Sequence, residues 1–214
     1  MNAQTSSQED AAVAEFIRRH LLQHPPPHMA NHLAIAAVAK TMLKMVEDHC
    51  PRDEFAAKPT FTLYSGHDFS SPQVTEGFSL LVWRIQPSAA LRRSQPLQEA
   101  DGRKRRPSLA VDLSILMTAW AVEPERQLRL TGWLMRFFED NAIVPAALLN
   151  QSLTQANVPA FPPDEAVELM LDPLPLTDHL GLWDKFRNRW MTSVNYSVRG
   201  LQMESNRSGD EGPP

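Results

Sequence analysis

The chain has 214 residues, of which 43% are hydrophobic and 21% charged, a balance typical of a soluble domain with a buried core. Its formal net charge of −4 gives no reason to expect nucleic acid as the main partner. The single cysteine, Cys50, excludes an internal disulfide and fits a reducing compartment. Because the chain has neither a long apolar run nor a secretory signal, we expect no membrane span and a location in the cytoplasm.

Residues 1–30 are predicted to be an N-terminal extension. Residues 1–8 are polar, and between Glu9 and Gln23 apolar residues recur at helical spacing, which predicts a short amphipathic helix. The prolines of "HPPPH", from His24 to His28, end this helix because proline lacks a backbone donor. The next segment, Asn31 to Asp48, predicts a helix that is buried or nearly so, with Asn31 as its N-cap.

After this helix the apolar residues alternate, which is typical of strands. Strands are predicted at Pro59–Tyr64 and Glu76–Ile85, and the stretch "LAVDLSILMTAWAV", Leu109–Val122, predicts a third. Strands usually have about five or six residues, so the third is unusually long. Either part of it serves the core of the subunit and the remainder serves assembly, or it is a bulged, bent strand wholly inside one subunit.

The second half of the chain adds a helix that starts at Glu123-Pro124, where proline at the first helical position costs little. Its apolar stripe consists of Leu130, Trp133, Leu134, Phe137 and Phe138. A strand at Ala166–Leu174, a short helix at Leu176–Phe186 and a strand at Met191–Glu204 come next. This order predicts an α+β domain over residues 31–204, with a mostly antiparallel sheet of four to five strands packed with two to three helices, and a disordered tail at 205–214.

The sequence carries no motif of an enzyme or of a phosphate site. It lacks GxxxxGK[ST], GxGxxG and the GxSxG of serine hydrolases. His28 and His32 supply half of a zinc site at most, with no clear third ligand. We therefore predict no catalytic residues, no cofactor and no metal.

A polar loop of about twenty residues precedes the long strand and concentrates positive charge. Its basic residues are Arg92, Arg93, Arg103, Lys104, Arg105 and Arg106. Three interpretations stay open: a solvated hairpin tip, a contact with an acidic protein surface, and a contact with nucleic-acid phosphates. The aromatic side chains that usually accompany single-strand binding are missing. We treat the six residues as candidate partner-binding residues.

Several stretches, taken in order, resemble one family. They are "AIAAVAKTMLKMV", "LLVWRIQPSAALRR", "PSLAVDLSILMTAWA", "LMRFFEDNAIV", "VELMLDPLPLTDHLGLWDKF" and "SVNYSVRGLQME". Over about residues 31–204 the chain resembles the cap, or tail-terminator, proteins of contractile injection systems, phage-tail-like particles such as the antifeeding prophage and the Photorhabdus virulence cassettes. Residues 1–30 extend beyond that family's usual start, and Arg93 stands where asparagine is expected.

The resemblance implies a non-enzymatic structural protein. Proteins of this kind form a six-membered ring on the distal end of the inner tube and the contractile sheath, stop polymerisation and hold the sheath extended. The implied partners are further copies in a homo-hexamer, the inner tube protein and the sheath protein. A baseplate or adaptor component of a related particle is the alternative, and a nucleic-acid-binding accessory protein is a third.

Overall fold

A computed structural model describes residues 29–70, 72, 74–89, 97–98, 104–152, 159–186 and 190–205, with the backbone alone at 97–98 and 104–105. The helix predicted at 9–23 and nearly all of the predicted tail lie outside these residues.

Four α-helices and nine strands make up the described part of the chain. The helices are α1 Ala34–His49, α2 Pro124–Asp140, α3 Ala146–Gln151 and α4 Leu176–Lys185. The strands are β1 Thr60–Leu63, β2 Gly77–Pro87, β3 Leu97–Gln98, β4 Lys104–Arg105, β5 Leu109–Trp120, β6 Ile143–Pro145, β7 Ala166–Glu168, β8 Met170–Leu171 and β9 Ser193–Met203.

The main sheet has five strands in the order β1-β2-β5-β9-β8. Only β1 and β2 run parallel, and the other neighbours are antiparallel. The predicted α+β class and antiparallel sheet are confirmed, with one helix more than expected. The single strand predicted at 166–174 is two short strands with different partners, since β7 pairs with β6 and β8 with β9.

The long strand β5 lies at the centre of the sheet. Residues from Val111 to Thr118 fall within its pairing with both β2 and β9, so the central part of β5 has no free edge. Both neighbouring strands contain a β-bulge opposite β5. In β2 the extra residue is Trp83, and in β9 the bulge includes Gly200, which has a φ of 68°. The Gly200 N–H donates a hydrogen bond of 2.8 Å to the Asp112 carboxylate of β5. The part of β5 between Val111 and Thr118 therefore serves one subunit, and an assembly role for the ends of β5 stays a prediction.

The alternation predicted for β5 separates two cores. Val111, Leu113, Ile115, Met117 and Ala119 face the larger core, beneath α1, α2 and α3. Leu116 and Trp120 face the opposite side, in an aromatic cluster with Tyr64, Phe69, Trp183 and Phe186. Thus α4 covers one end of the second face, and the sheet is sandwiched between helices on both sides there.

Gly77 fixes the start of β2 against β1. Its φ is 131°, and a Cβ at this position would lie 1.9 Å from the Thr60 carbonyl oxygen. Only glycine fits such a close approach of two backbones.

The predicted stripe of α2 is buried at Leu130, Leu134 and Phe138, and Phe138 packs against Tyr196 of β9 with ring centroids 5.1 Å apart. Trp133 and Phe137 are only partly buried. Trp133 contacts Phe78 of β2, whereas Phe137 packs on His49 of α1 rather than on the sheet.

The first described residues are tied to the end of β9. Ala30 accepts a hydrogen bond of 2.7 Å from the Glu204 N–H, and Asn31 donates its N–H to the Ala160 carbonyl. Asn31 was predicted to be the N-cap of α1, but the N-cap position is occupied by Leu33. The Asn31 side chain instead accepts a hydrogen bond of 2.9 Å from the Leu33 N–H, in the turn that precedes the helix.

Candidate assembly surfaces

The basic loop connects the end of β2, at Pro87, to the start of β5, at Leu109. Within it β3 and β4 form a small antiparallel pair, in which Leu97 is opposite Arg105 and Gln98 opposite Lys104. This agrees with a hairpin at the sheet's end. Of the six candidate residues, Arg92, Arg93 and Arg103 lie outside the described residues, and Lys104 and Arg105 are described by backbone alone.

Arg106, the sixth candidate, is partly buried where the chain turns into β5. It lines a surface recess of about 620 Å³ together with His32, Leu109 and Glu204. The recess brings one basic residue of the loop next to the point where residues 29–32 and 203–205 meet. The partner-binding role of the loop stays a prediction.

Among the residues that the structure describes, the outer edge of β2 has no partner beyond its pairing with β1. The register of β1 ends at Leu80, with a further bond from the Tyr64 N–H to the Leu80 carbonyl. From Arg84 to Pro87, β2 therefore pairs with β5 alone within the described part of the chain, and the Ile85 side chain is 52% exposed. An open edge of this kind is suited to pairing with another chain.

A polar recess of about 390 Å³ lies on the second face of the sheet, beyond the aromatic cluster. Its carboxylates already have partners: Asp112 accepts the Gly200 N–H, and Asp172 lies 3.8 Å from Arg199. These contacts fix the bulge in β9 and the β8 end of the sheet.

Burial shifts the pKa of two titratable groups near the core, Cys50 and Glu165. Burial raises the pKa of the Cys50 thiol, which therefore stays protonated at neutral pH and is a poor nucleophile. Burial also raises the pKa of Glu165, whose carboxylate accepts a bond from the backbone of Ala30. Among the described residues, no three His, Cys, Asp or Glu side chains come together as metal ligands would.

Two helices carry apolar side chains on their outer surfaces. On α2, Leu128 is 59% and Met135 40% exposed. On α4, Leu176 is 70% and Leu180 44% exposed, and Trp190 beyond the helix is 50% exposed. The sequence pattern did not predict either surface, because it was used only to find the buried stripe of α2. The spacing of Leu128 and Met135, seven residues apart, was the available signal.

The sequence of the chain matches the model of one protein family. The family model of the Pvc16 N-terminal domain matches residues 11–214. The chain belongs to this family. The match begins at residue 11 rather than at residue 31, so it takes in most of the segment that was predicted to be an extension, and the domain boundaries at 30 and 205 stay a prediction.

Two solved structures share the fold of this Pvc16 N-terminal domain. One is the sheath/tube terminator of an extracellular contractile injection system, PVC, in the extended state, with a TM-score of 0.53 and 19% identity over 84% of this chain. The other is the tube-terminating cap of the anti-feeding prophage, with a TM-score of 0.52 and 18% identity over 83% of this chain. The chain covers 60% and 57% of the length of these proteins. Among curated protein sequences, none matches the chain.

The comparisons confirm the family resemblance on which the tail-terminator expectation rests. One matched structure is a sheath/tube terminator of a contractile injection system, and the other is a tube-terminating cap. No helix in the described part of the chain is long and apolar enough to cross a membrane.

Proposed function

We propose that this protein is a structural cap that terminates the inner tube and the contractile sheath at the distal end of a contractile injection system. The observation that carries the proposal is its membership of the Pvc16 N-terminal domain family, together with the fold it shares with a PVC sheath/tube terminator and an anti-feeding prophage cap. In this role it is non-enzymatic, assembles in the cytoplasm as a six-membered ring, and binds the tube and sheath proteins.

The surfaces of the domain support a role in assembly. Among the described residues, β2 pairs only with β5 at Arg84–Pro87, and its end leads into the loop that contains β3 and β4. Exposed apolar side chains stand on α2 and on α4, on the two faces. A subunit of a closed ring that also contacts a second protein needs several such surfaces at once.

Deletion of the gene in the producing strain tests this function. We expect particles whose tubes and sheaths have uncontrolled length in electron micrographs, with baseplates present. Complementation with the wild-type gene should restore a narrow length distribution. Few or no particles in the deletion strain would favour the baseplate or adaptor role instead, and particles of normal length would contradict both.

A further inference from the structure

Helix α4 is attached to the rest of the domain by side-chain packing. Of its ten residues only Trp183 is buried, and Phe186, which follows the helix, is buried as well. Among the described residues, no side chain of α4 makes a hydrogen bond or an ion pair with another element. The backbone bonds at its two ends, from the His179 N–H to Pro175 and from the Phe186 N–H to Trp183, stay within the helix and its caps.

The two longer helices are attached more firmly. In α1 the Thr41 hydroxyl donates a hydrogen bond of 2.8 Å to Ser152, just after α3. In α2 the Gln127 side chain donates a hydrogen bond of 2.9 Å to the Ala119 carbonyl of β5. Eight residues of α1 and four of α2 are buried. Separating either helix from the sheet therefore exposes much more apolar surface than separating α4 does.

The packing of α4 centres on the ring of Phe69. This ring contacts Trp183 edge-on, with centroids 5.5 Å apart, and stacks on Phe186 at 4.6 Å. Phe69 itself lies in the short helical turn Asp68–Ser70 after β1, and its other neighbour is Trp120 of β5, 6.1 Å away. Phe69 is therefore the anchor that connects α4 to the aromatic cluster.

The packed arrangement leaves polar atoms buried without partners. The Trp183 Nε1 has no acceptor among the described residues, although the side chain is only 2% exposed. The hydroxyls of Thr118 and Ser193, which lie opposite each other in β5 and β9, have no partner either. Thr118 alternates with Trp120, so it lies on the same face of the sheet. A buried donor without a partner costs free energy, and the Trp183 indole recovers this cost when α4 leaves the sheet.

The chain that leads into α4 is fixed up to Asp172. Its N–H donates a hydrogen bond of 3.0 Å to the Asn195 carbonyl, and its carbonyl accepts one of 2.8 Å from the Asn195 side chain. Pro173 and Pro175 follow and have no N–H to donate. Within the described part of the chain, no hydrogen bond joins residues 173–175 to the sheet. This segment is suited to act as a hinge.

The chain that leaves α4 returns to the sheet at the neighbouring strand. Trp190 packs on His179 of α4, with centroids 4.8 Å apart, and β9 begins three residues later at Ser193. The pairs between β8 and β9 lie at Met170 and Leu171, before the hinge. Since α4 joins two adjacent antiparallel strands, it can leave the sheet without breaking a strand pair.

Helix α4 is also weak by itself. Gly181 lies in its middle, and a Cβ there would meet no heavy atom within 4 Å, so packing does not require a glycine. Glycine lowers the stability of a helix interior. A helix of ten residues is marginal in water without packing partners. Once it has left Phe69, α4 therefore unfolds and its backbone N–H groups become accessible to solvent.

We propose that α4, with Phe186 and Trp190, is a hinged cover that opens from the second face of the sheet while the sheet and α1 to α3 stay folded. Opening uncovers Phe69 and the cluster around it, so the open state presents an aromatic surface that the closed state buries. Segments with few buried contacts open at a small part of the global free energy of unfolding. The proposal does not depend on the proposed cap function.

Hydrogen exchange of the full chain, followed by mass spectrometry under native conditions, tests the opening. We expect the amides of residues 179–186 to exchange at least about tenfold faster than those of residues 130–138 in α2, because the former need only the local opening and the latter need global unfolding. A smaller difference would overturn the proposal, since α4 would then open only together with the whole domain.

Phe69→Leu separates opening from fraying of a helix that stays on the sheet. It leaves the sequence of α4 unchanged and weakens its anchor, so exchange of α4 should rise at least about fivefold while exchange of α2 stays the same. An unchanged rate in α4 would mean that the helix frays in place, and an equal rise in both helices would mean that they open together. Either result would overturn the proposal.

The matched control is Phe137→Leu, which shrinks a partly buried ring on the other face of the sheet. It should leave exchange of α4 unchanged, and a rise equal to that of Phe69→Leu would contradict a local effect. Phe186→Leu shrinks the ring that stacks on Phe69 and replaces Phe69→Leu if that variant does not fold. We expect the same selective rise in α4, and an unchanged rate in this variant would also overturn the proposal.

Discussion

Glu76 and Arg126 join the start of β2 to the first turn of α2 through a nearly buried ion pair. The Glu76 Oε1 and Arg126 Nη1 atoms are 3.1 Å apart, and their side chains are 4% and 16% exposed. The other carboxylate oxygen accepts the Ala56 N–H at 2.9 Å. One carboxylate therefore holds a loop, a strand and a helix in place.

Removal of the arginine should be costly because it leaves a buried carboxylate without its countercharge. We expect Arg126→Met to lose about 3–5 kcal/mol of unfolding free energy, as is usual when one partner of a buried pair is removed. The double variant Glu76→Gln, Arg126→Met should lose less than the sum of the single variants. Chemical denaturation of all three proteins measures this coupling, and additive losses would show that the pair contributes nothing.

The two neighbouring phenylalanines of α2 should differ in their contribution to stability. Phe138 is 1% exposed and packs on Tyr196, so Phe138→Ala should cost about 3–5 kcal/mol. Phe137 is partly buried against His49, and Phe137→Ala should cost clearly less. Thermal unfolding compares them; an equal loss would mean that Phe137 is covered by groups outside the described contacts.

Gly77 should not tolerate a side chain. Since a Cβ there would collide with the Thr60 backbone, Gly77→Ala should lose more than about 3 kcal/mol or fail to fold. Gly132→Ala is the matched substitution at an open position, and it should gain up to about 1 kcal/mol in the free subunit. Solubility and denaturation curves would show the contrast, and similar stability of the two variants would contradict this account of Gly77.

Glu165 should make stability depend on pH. Burial is the main cause of its raised pKa, and one carboxylate oxygen, Oε2, has no partner among the described atoms. A carboxyl group whose pKa is higher in the folded protein costs stability as the pH rises above the ordinary carboxyl range and through the folded-state pKa. The penalty is absent at lower pH, where the group is protonated in both states.

Glu165→Gln removes this charge but keeps an acceptor for the Ala30 backbone. We expect a small rise in melting temperature over wild type at pH 8, and a smaller difference at pH 4. Thermal unfolding of both proteins at the two pH values measures it. A variant that is less stable than wild type by the same amount at both pH values would show that the charged form is not penalised.

The basic loop should matter for docking and little for folding. Arg103, Lys104 and Arg105 can be changed to glutamine together, leaving the partly buried Arg106 in place. We expect an unchanged melting temperature, because surface charges are screened within about 8 Å at physiological salt. We also expect fewer capped particles and abnormal tube lengths, since a contact repeated around a ring gains from avidity.

The control for this variant is glutamine at Lys40, Lys44 and Lys58, which removes equal charge from other exposed positions. Normal capping by the loop variant would favour a solvated loop. Salt-dependent DNA binding that only the loop variant loses would favour the nucleic-acid interpretation.

Alternation and helical spacing were sufficient to place β5 and the buried side of α2, because each pattern reports a face that the subunit buries itself. These patterns did not predict strand boundaries that depend on which strands pair with each other. The stretch 166–174 reads as one strand, yet Leu169 bonds through its N–H to Ala142, and the chain changes partners there. Exposed Leu128 and Leu176 were not predicted as surfaces because an apolar residue in a sequence is first assigned to the core.

The hydrogen bond between Ala30 and Glu204 has a mechanical consequence. Ala30 and Glu204, near the two ends of the described range 29–205, lie together beside the Leu109–Met203 pair of β5 and β9. Tension applied between these two residues would first load their own hydrogen bond, before the hydrophobic core bears any force. The two ends of the described range are therefore mechanically coupled to each other at one point of the sheet.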